Sequence, residues 1–219
     1  MKKFNRRDYN QPLTKAHYEW LYTDRAGLGK GYTRPWRRNL WGSIAKAVFN
    51  LWPQPDFGPG HASTIENEPE VLEAACGPGL LLQYIQNLLP TARCTGFDFA
   101  ESAIKWAKEN APSAKLYVAD LWDFEPAGPA DFVLAIQLLE HLYNPSGAMK
   151  RFMSWCKPGG YVIVTVPNGP LDCDGAHVHH WSKAGLDDWL RLYDRVKVRP
   201  LRKGATLMGI VRQHESTST

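Results

Sequence analysis

The 219-residue chain contains no apolar run long enough to span a bilayer, so no membrane segment is expected. Its basic start, Met1-Lys2-Lys3-Phe4-Asn5-Arg6-Arg7, is followed by neither an apolar core nor a small-residue cleavage site, which argues against a secretory signal. Cysteine is scarce: Cys76, Cys94, Cys156 and Cys173 show no paired spacing and sit in apolar or turn contexts. Reduced thiols and a cytoplasmic location are the expectation. There are no internal repeats. The dinucleotide-binding fingerprint G-x-G-x-x-G is incomplete, because Gly77 and Gly79 are followed by Leu82 where the third glycine belongs.

Charge is unevenly spread. Residues 1–41 hold ten Lys or Arg against three acidic residues, a local +7, so the rest of the chain carries −3 of the overall +4. Tyr9, Tyr18, Trp20, Tyr22, Tyr32, Trp36, Trp41, Phe49 and Trp52 crowd the same region, with helical spacing around 14–23 and 38–51. Residues 1–60 read as a basic, aromatic, helical arm or lid that ends in the breaker cluster 53–60. Residues 61–213 read as the body and 214–219 as a polar tail.

In the body, short apolar runs alternate with longer periodic ones. Strands are expected at 70–74, 93–97, 115–118, 131–136 and 160–166, and helices at 79–89, 100–110, 145–156 and 182–192. This alternation predicts βαβ units and a parallel sheet. Residues 195–201 and 205–211 flank a short Arg202-Lys203-Gly204 turn and predict a terminal hairpin. The fold class is therefore α/β: a Rossmann-like seven-stranded sheet, mostly parallel, with a C-terminal antiparallel hairpin and helices on both faces.

The most informative stretch is Val71-Leu72-Glu73-Ala74-Ala75-Cys76-Gly77-Pro78-Gly79. A buried strand ends in an acid and breaks into a glycine turn that opens a helix, a geometry that lets backbone approach a ligand closely. Asp98, about 20 residues on, ends the second strand, where a carboxylate can accept both ribose hydroxyls. It can also simply cap the next helix. Asp120 ends the third strand, where it can accept from an adenine amino group while the Leu121 N–H reaches a ring nitrogen; a solvated turn is its plainer role.

With Glu140-His141 after the fourth strand and Lys157-Pro158-Gly159-Gly160 before the fifth, the order of motifs resembles the small-molecule branch of the class I S-adenosylmethionine (SAM)-dependent methyltransferases. The resemblance spans about residues 70–212. It implies SAM as cofactor, with Glu73, Ala75, Gly77 and Gly79 around the methionine part and Asp98 on the ribose. Phe97 stands before that acid, where the family has an aliphatic residue, and is counted with the cofactor contacts. Asp120 and Leu121 would meet adenine, and Gln137 the amino group. Ala75 stands where the family has its first glycine. No Asn/Asp-Pro-Pro-aromatic motif or Pro-Cys pair follows the fourth strand, which argues against exocyclic-amine and cytosine-C5 nucleic-acid enzymes.

On the acceptor side, Asp172, Cys173, Asp174, His177, His179 and His180 cluster after the fifth strand. His141, His177 and His180 are the candidate general bases, since neutral imidazole suits proton removal from a hydroxyl. Packing around a helix capped by Ser182 is the alternative, and no metal ligand set is specified by the spacing alone. The expected acceptor is a small molecule, anionic or aromatic, methylated at oxygen. Arg34, Arg37 and Arg38 beside Trp36 would suit an anion. Two other readings stay open: an RNA or protein methyltransferase that docks through the arm, and a SAM-binding protein without catalysis.

Overall fold

The computed structural model describes residues 15–22, 35–52, 68–172 and 174–214. Arg34, Cys173, the breaker cluster 53–60 and residues 215–219 lie outside them.

Among the described residues two helices come first, α1 (Lys15–Leu21) and α2 (Pro35–Leu51). The body then runs β1 (Glu70–Ala74), α3 (Leu80–Leu88), β2 (Arg93–Asp98), α4 (Glu101–Asn110), β3 (Lys115–Val118), β4 (Ala130–Ile136), α5 (Pro145–Trp155), β5 (Cys156–Pro167), α6 (Lys183–Leu190), β6 (Arg195–Leu201) and β7 (Thr206–Arg212). The seven strands form one sheet in the order β3-β2-β1-β4-β5-β7-β6. Strands β1 to β5 pair in parallel, and β7 runs antiparallel between β5 and β6. The expected α/β sheet with its C-terminal hairpin is thus observed. Among the described residues no helix is long and apolar enough to cross a membrane.

Successive strand side chains point to opposite faces, which divides the core in two. Phe132 and Leu134 of β4 join Val71, Cys94, Ile163 and Met208 on the face covered by α2 and α3. Val133 and Ala135 join Leu72, Val162, Val164 and Leu207 on the other face, covered by α5 and α6. Leu40, Trp41, Ile44, Ala45 and Val48 make one stripe along α2 and are all buried, so this arm helix is built into the core. Pro145 at the first turn and Asn144, whose Oδ1 accepts from the Gly147 N–H at 2.8 Å, start α5. Ser182 caps α6 as expected, accepting from the Gly185 N–H at 3.1 Å.

The fifth strand departs from expectation. Lys157-Pro158-Gly159-Gly160 does not separate helix from strand but lies inside β5. Pairing jumps from Ala130↔Cys156 to Phe132↔Tyr161, so the surplus residues bulge from the ladder. Gly159, at φ 78°, supplies the left-handed position this requires.

Candidate active site

The carboxyl ends of β1, β2 and β4 meet where the strand order reverses, the place where open α/β sheets bind ligands. Ala75 (φ 52°) follows β1 and Gln137 (φ 54°) follows β4, and both adopt a conformation that non-glycine residues avoid. Such strain collects at functional sites. Gly77 (φ 52°) and Gly79 (φ 73°) continue the turn. A Cβ on Gly79 would stand 3.0 Å from the Ala107 Cβ, so glycine there lets α3 start hard against α4.

Asp98 fastens this turn. Its Oδ2 accepts from the Gly77 N–H and its Oδ1 from the Ala100 N–H, each at 2.9 Å. The helix-start role and a role at the glycine turn therefore coexist, and each oxygen keeps a second lone pair for a ligand. Burial pushes the Asp98 carboxyl up to about 6, against those backbone bonds and with a contribution from the charge of Glu19. Glu73 is buried beside it, and its Oε2 has no hydrogen-bond partner. Burial, with the charge of Asp98 added, holds the Glu73 carboxyl well above the ordinary carboxylate range.

Asp120 is exposed and accepts from the Trp122 N–H at 2.9 Å, while Leu121 is buried. The Gln137 side chain, half-buried, donates to Thr165 Oγ1 at 3.3 Å. One expected cofactor residue lies elsewhere. The Phe97 ring stacks on Phe124 (centroids 4.1 Å apart) and meets Trp155 edge-on in the α5-side core. Strand alternation turns it to the sheet face opposite that of Asp98, into the core. Only its carbonyl serves the turn, accepting from the Cys76 N–H at 2.9 Å.

Helix α1 packs on the start of α4, beside the glycine turn. Tyr22 is buried against Ala100 and Ala103, with its hydroxyl 3.0 Å from where a Cβ on Gly77 would stand. Ala100 gives α4 no side-chain cap, and Glu19 replaces it from 82 residues away. The Glu19 carboxylate accepts from the Glu101 N–H (2.7 Å), the Ser102 N–H (3.1 Å) and the Ser102 hydroxyl (2.6 Å). Burial pushes the Glu19 carboxyl up, but the bonds from Ser102 and Glu101 outweigh it and hold it below its usual value. Nothing local to Glu19 in the sequence signals this task.

The three candidate bases come together around Asp172. Its Oδ2 lies 2.6 Å from His177 Nδ1 and 3.2 Å from His180 Nδ1. The His177 and His141 rings meet edge-on at 4.7 Å. The His177 side chain is 10% exposed and that of His180 47%, so the first is set deep and the second reaches solvent. Burial, then the neighbouring His177, pushes the His141 imidazole down to about 4, which leaves it neutral near pH 7. His179 instead stacks on Trp181 at 5.2 Å. Glu140, which sequence reasoning passed over, is 1% exposed, with Oε2 unpartnered. Burial and the charges of Asp172 and Asp174 hold its carboxyl well above its usual value. The run Glu140-His141 was its only sequence signal.

At the same edge of the sheet, the Arg202 guanidinium lies 3.8 Å from the Trp36 ring centroid and that of Arg37 4.9 Å. Part of the expected arginine-tryptophan cluster therefore forms, using Arg202 from the hairpin.

A family model described as "Methyltransferase domain" matches residues 46–204. The chain is similar to trans-aconitate 2-methyltransferase from Escherichia coli, 28% identical over 108 residues that cover 49% of this chain and 43% of the relative. It is also similar to ubiquinone biosynthesis O-methyltransferase from Caulobacter vibrioides, 28% identical over 150 residues that cover 61% of this chain and 57% of the relative. The chain thus spans about half the length of the curated relatives it matches. Among solved structures, the plantazolicin methyltransferase BpumL, in complex with a triazolic desmethylPZN analog and S-adenosylhomocysteine (SAH), superposes with a TM-score of 0.68. The alignment covers 96% of this chain and 98% of that one at 15% identity, a likeness of fold.

Proposed function

The chain belongs to the methyltransferase-domain family and has the class I, SAM-dependent fold, and from that premise we propose that it transfers a methyl group from SAM to an oxygen of a small-molecule acceptor. The observation that carries the cofactor assignment is the buried, unpartnered Glu73 Oε2. Leaving such an atom bare costs about 1–3 kcal/mol, more when charged. A ligand ammonium offsets that cost, and the methionine part of SAM carries one. Ala75, Gly77 and Gly79 line the adjoining turn, Asp98 accepts from the ribose, and Asp120 with Leu121 meets the adenine. Gln137 closes the amino-group end. When bound, SAM supplies an electrophilic methyl on a sulfonium centre.

The residues then have two tasks. Holding an acceptor oxygen in line can supply up to about 7–11 kcal/mol, and a general base adds about 10²–10⁴-fold, so positioning leads. His180 is the group we assign to proton removal, because its side chain reaches solvent and Asp172 orients its Nδ1. His141 and His177 form the deeper wall of the same pocket. Tyr143, 72% exposed, and Leu171, 64% exposed, lie next in sequence to this cluster and offer apolar surface to an aromatic body. An anionic acceptor would meet the Arg37 and Arg202 charge at the same edge.

Titration calorimetry with SAH, followed by turnover of labelled SAM against hydroxylated aromatic and carboxylic acids, tests the proposal. Absence of SAH binding would sink it. SAH binding without turnover would favour a non-catalytic binder. Acceptor binding that weakens steeply with salt would favour a nucleic acid.

A further inference from the structure

Glu140, His141 and His177 offer ligand atoms that all lie within 4.8 Å of one another, and two of the three residues carry a buried polar atom with no hydrogen-bond partner. Glu140 Oε2 is one, on a side chain 1% exposed, and His141 Nδ1 is the other. His177 Nδ1 is taken by Asp172 at 2.6 Å, which leaves Nε2 as the nitrogen that can reach an ion. The frame is stiff, because the Val178 and His179 N–H groups both donate to the Glu140 carbonyl, at 2.8 and 3.3 Å. The loop that carries His177 is thereby stitched to the turn that carries Glu140 and His141. We propose that these three residues form a mononuclear site for a divalent transition-metal ion, with Asp172 as the outer carboxylate that orients His177.

The donor chemistry selects the ion. Two imidazoles and one carboxylate suit zinc, manganese, iron or cobalt rather than magnesium or calcium, which prefer all-oxygen shells. Bonds of about 2.0–2.2 Å put two donors at most about 4 Å apart, so small side-chain rotations close the set around an ion. A carboxylate on the second nitrogen of a ligating histidine is the usual outer-shell partner, and it fixes the tautomer. Asp174 Oδ2, 3.9 Å from His177 Nε2, adds negative charge nearby. Three protein ligands leave at least one coordination position open, and His180, on the same Asp172, reaches solvent beside it. An ion there would bind the acceptor oxygen and favour its deprotonation by His180.

The site stands independently of the methyl-transfer reading, because metal is measured on the full chain without SAM. Chelator-treated protein is titrated with Co²⁺, followed by visible d–d absorption, and with Zn²⁺ and Mn²⁺ by calorimetry. One saturable equivalent is expected. Glu140→Gln and His177→Gln should abolish it, and Asp172→Asn should weaken it about 10–100-fold. His179→Ala, on the histidine stacked against Trp181, should leave it intact. Failure of all three ions to bind the unaltered chain overturns the proposal whatever the variants do. Undiminished binding in Glu140→Gln and His177→Gln overturns the ligand assignment.

Discussion

Replacing Asp98 by Asn should make the protein at least as stable at neutral pH while making it a poorer binder of SAH. The Asp98 carboxyl sits at about 6 in the folded chain against an ordinary 3.8, a gap worth roughly 3 kcal/mol. The folded state holds the proton more tightly, so the group's contribution is most favourable below about pH 3.8. It declines as pH rises and is fully lost above about 6. Asparagine removes that penalty and also relieves the repulsion felt by Glu73. It forfeits one charge-assisted bond from either the Gly77 or the Ala100 N–H, a loss already contained in that net gap. The change at pH 7 is therefore up to about 3 kcal/mol in favour of the variant. Relative to wild type, the variant should gain roughly 2–3 kcal/mol between pH 4 and pH 7. Urea unfolding of both proteins across that range measures this directly. SAH affinity should fall by about 1–3 kcal/mol in the variant, and in wild type it should weaken as pH drops below about 6, where the acceptor charge is neutralised. A stability difference that ignores pH would refute the burial argument, and unchanged SAH affinity would refute the site.

Three further outcomes follow from the same geometry. Glu19→Ala removes the cap of α4 and should cost about 0.5–2 kcal/mol in thermal or urea unfolding, with faster SAH release. Ala75→Gly relieves left-handed strain of about 1–2 kcal/mol but adds unfolded-chain entropy of about 0.5–1 kcal/mol. A slightly higher melting temperature and tighter SAH binding are expected, and a loss of both would show that the Ala75 methyl makes a contact of its own. His180→Asn should lower kcat by about 10²–10⁴-fold with SAH affinity unchanged, and an intact kcat would move proton removal elsewhere.

The strands were legible because most are short apolar runs between longer periodic ones, and β1 and β3 match expectation to the residue. The place of Asp98 and Asp120 at the carboxyl edge was legible too, since position at a strand end implies position at that edge. What stayed hidden depends on distance along the chain. Glu19 and the N-terminus of α4 meet only through tertiary packing, and α2 shows an apolar stripe without showing that it covers the sheet. Phe97 was placed near the cofactor by adjacency to Asp98, yet neighbouring strand residues face opposite ways. Glu140 was overlooked because an acid beside a histidine reads as surface until its burial is known.

The strand order carries a consequence for how this protein is made. Strand β7 is synthesised after β6 yet lies between β5 and β6, with Tyr161 to Pro167 paired on one side and Arg195 to Leu201 on the other. Until residues 206–212 have left the ribosome, β6 has no sheet neighbour and the edge of β5 stays open. That edge carries Val162, Ile163, Val164 and Val166, an apolar row of the kind that recruits strands from other chains. The nascent chain therefore passes through a stage in which most of the α/β body can assemble while one long edge remains exposed to its neighbours. Closing it falls to the last strand of the sheet to be made.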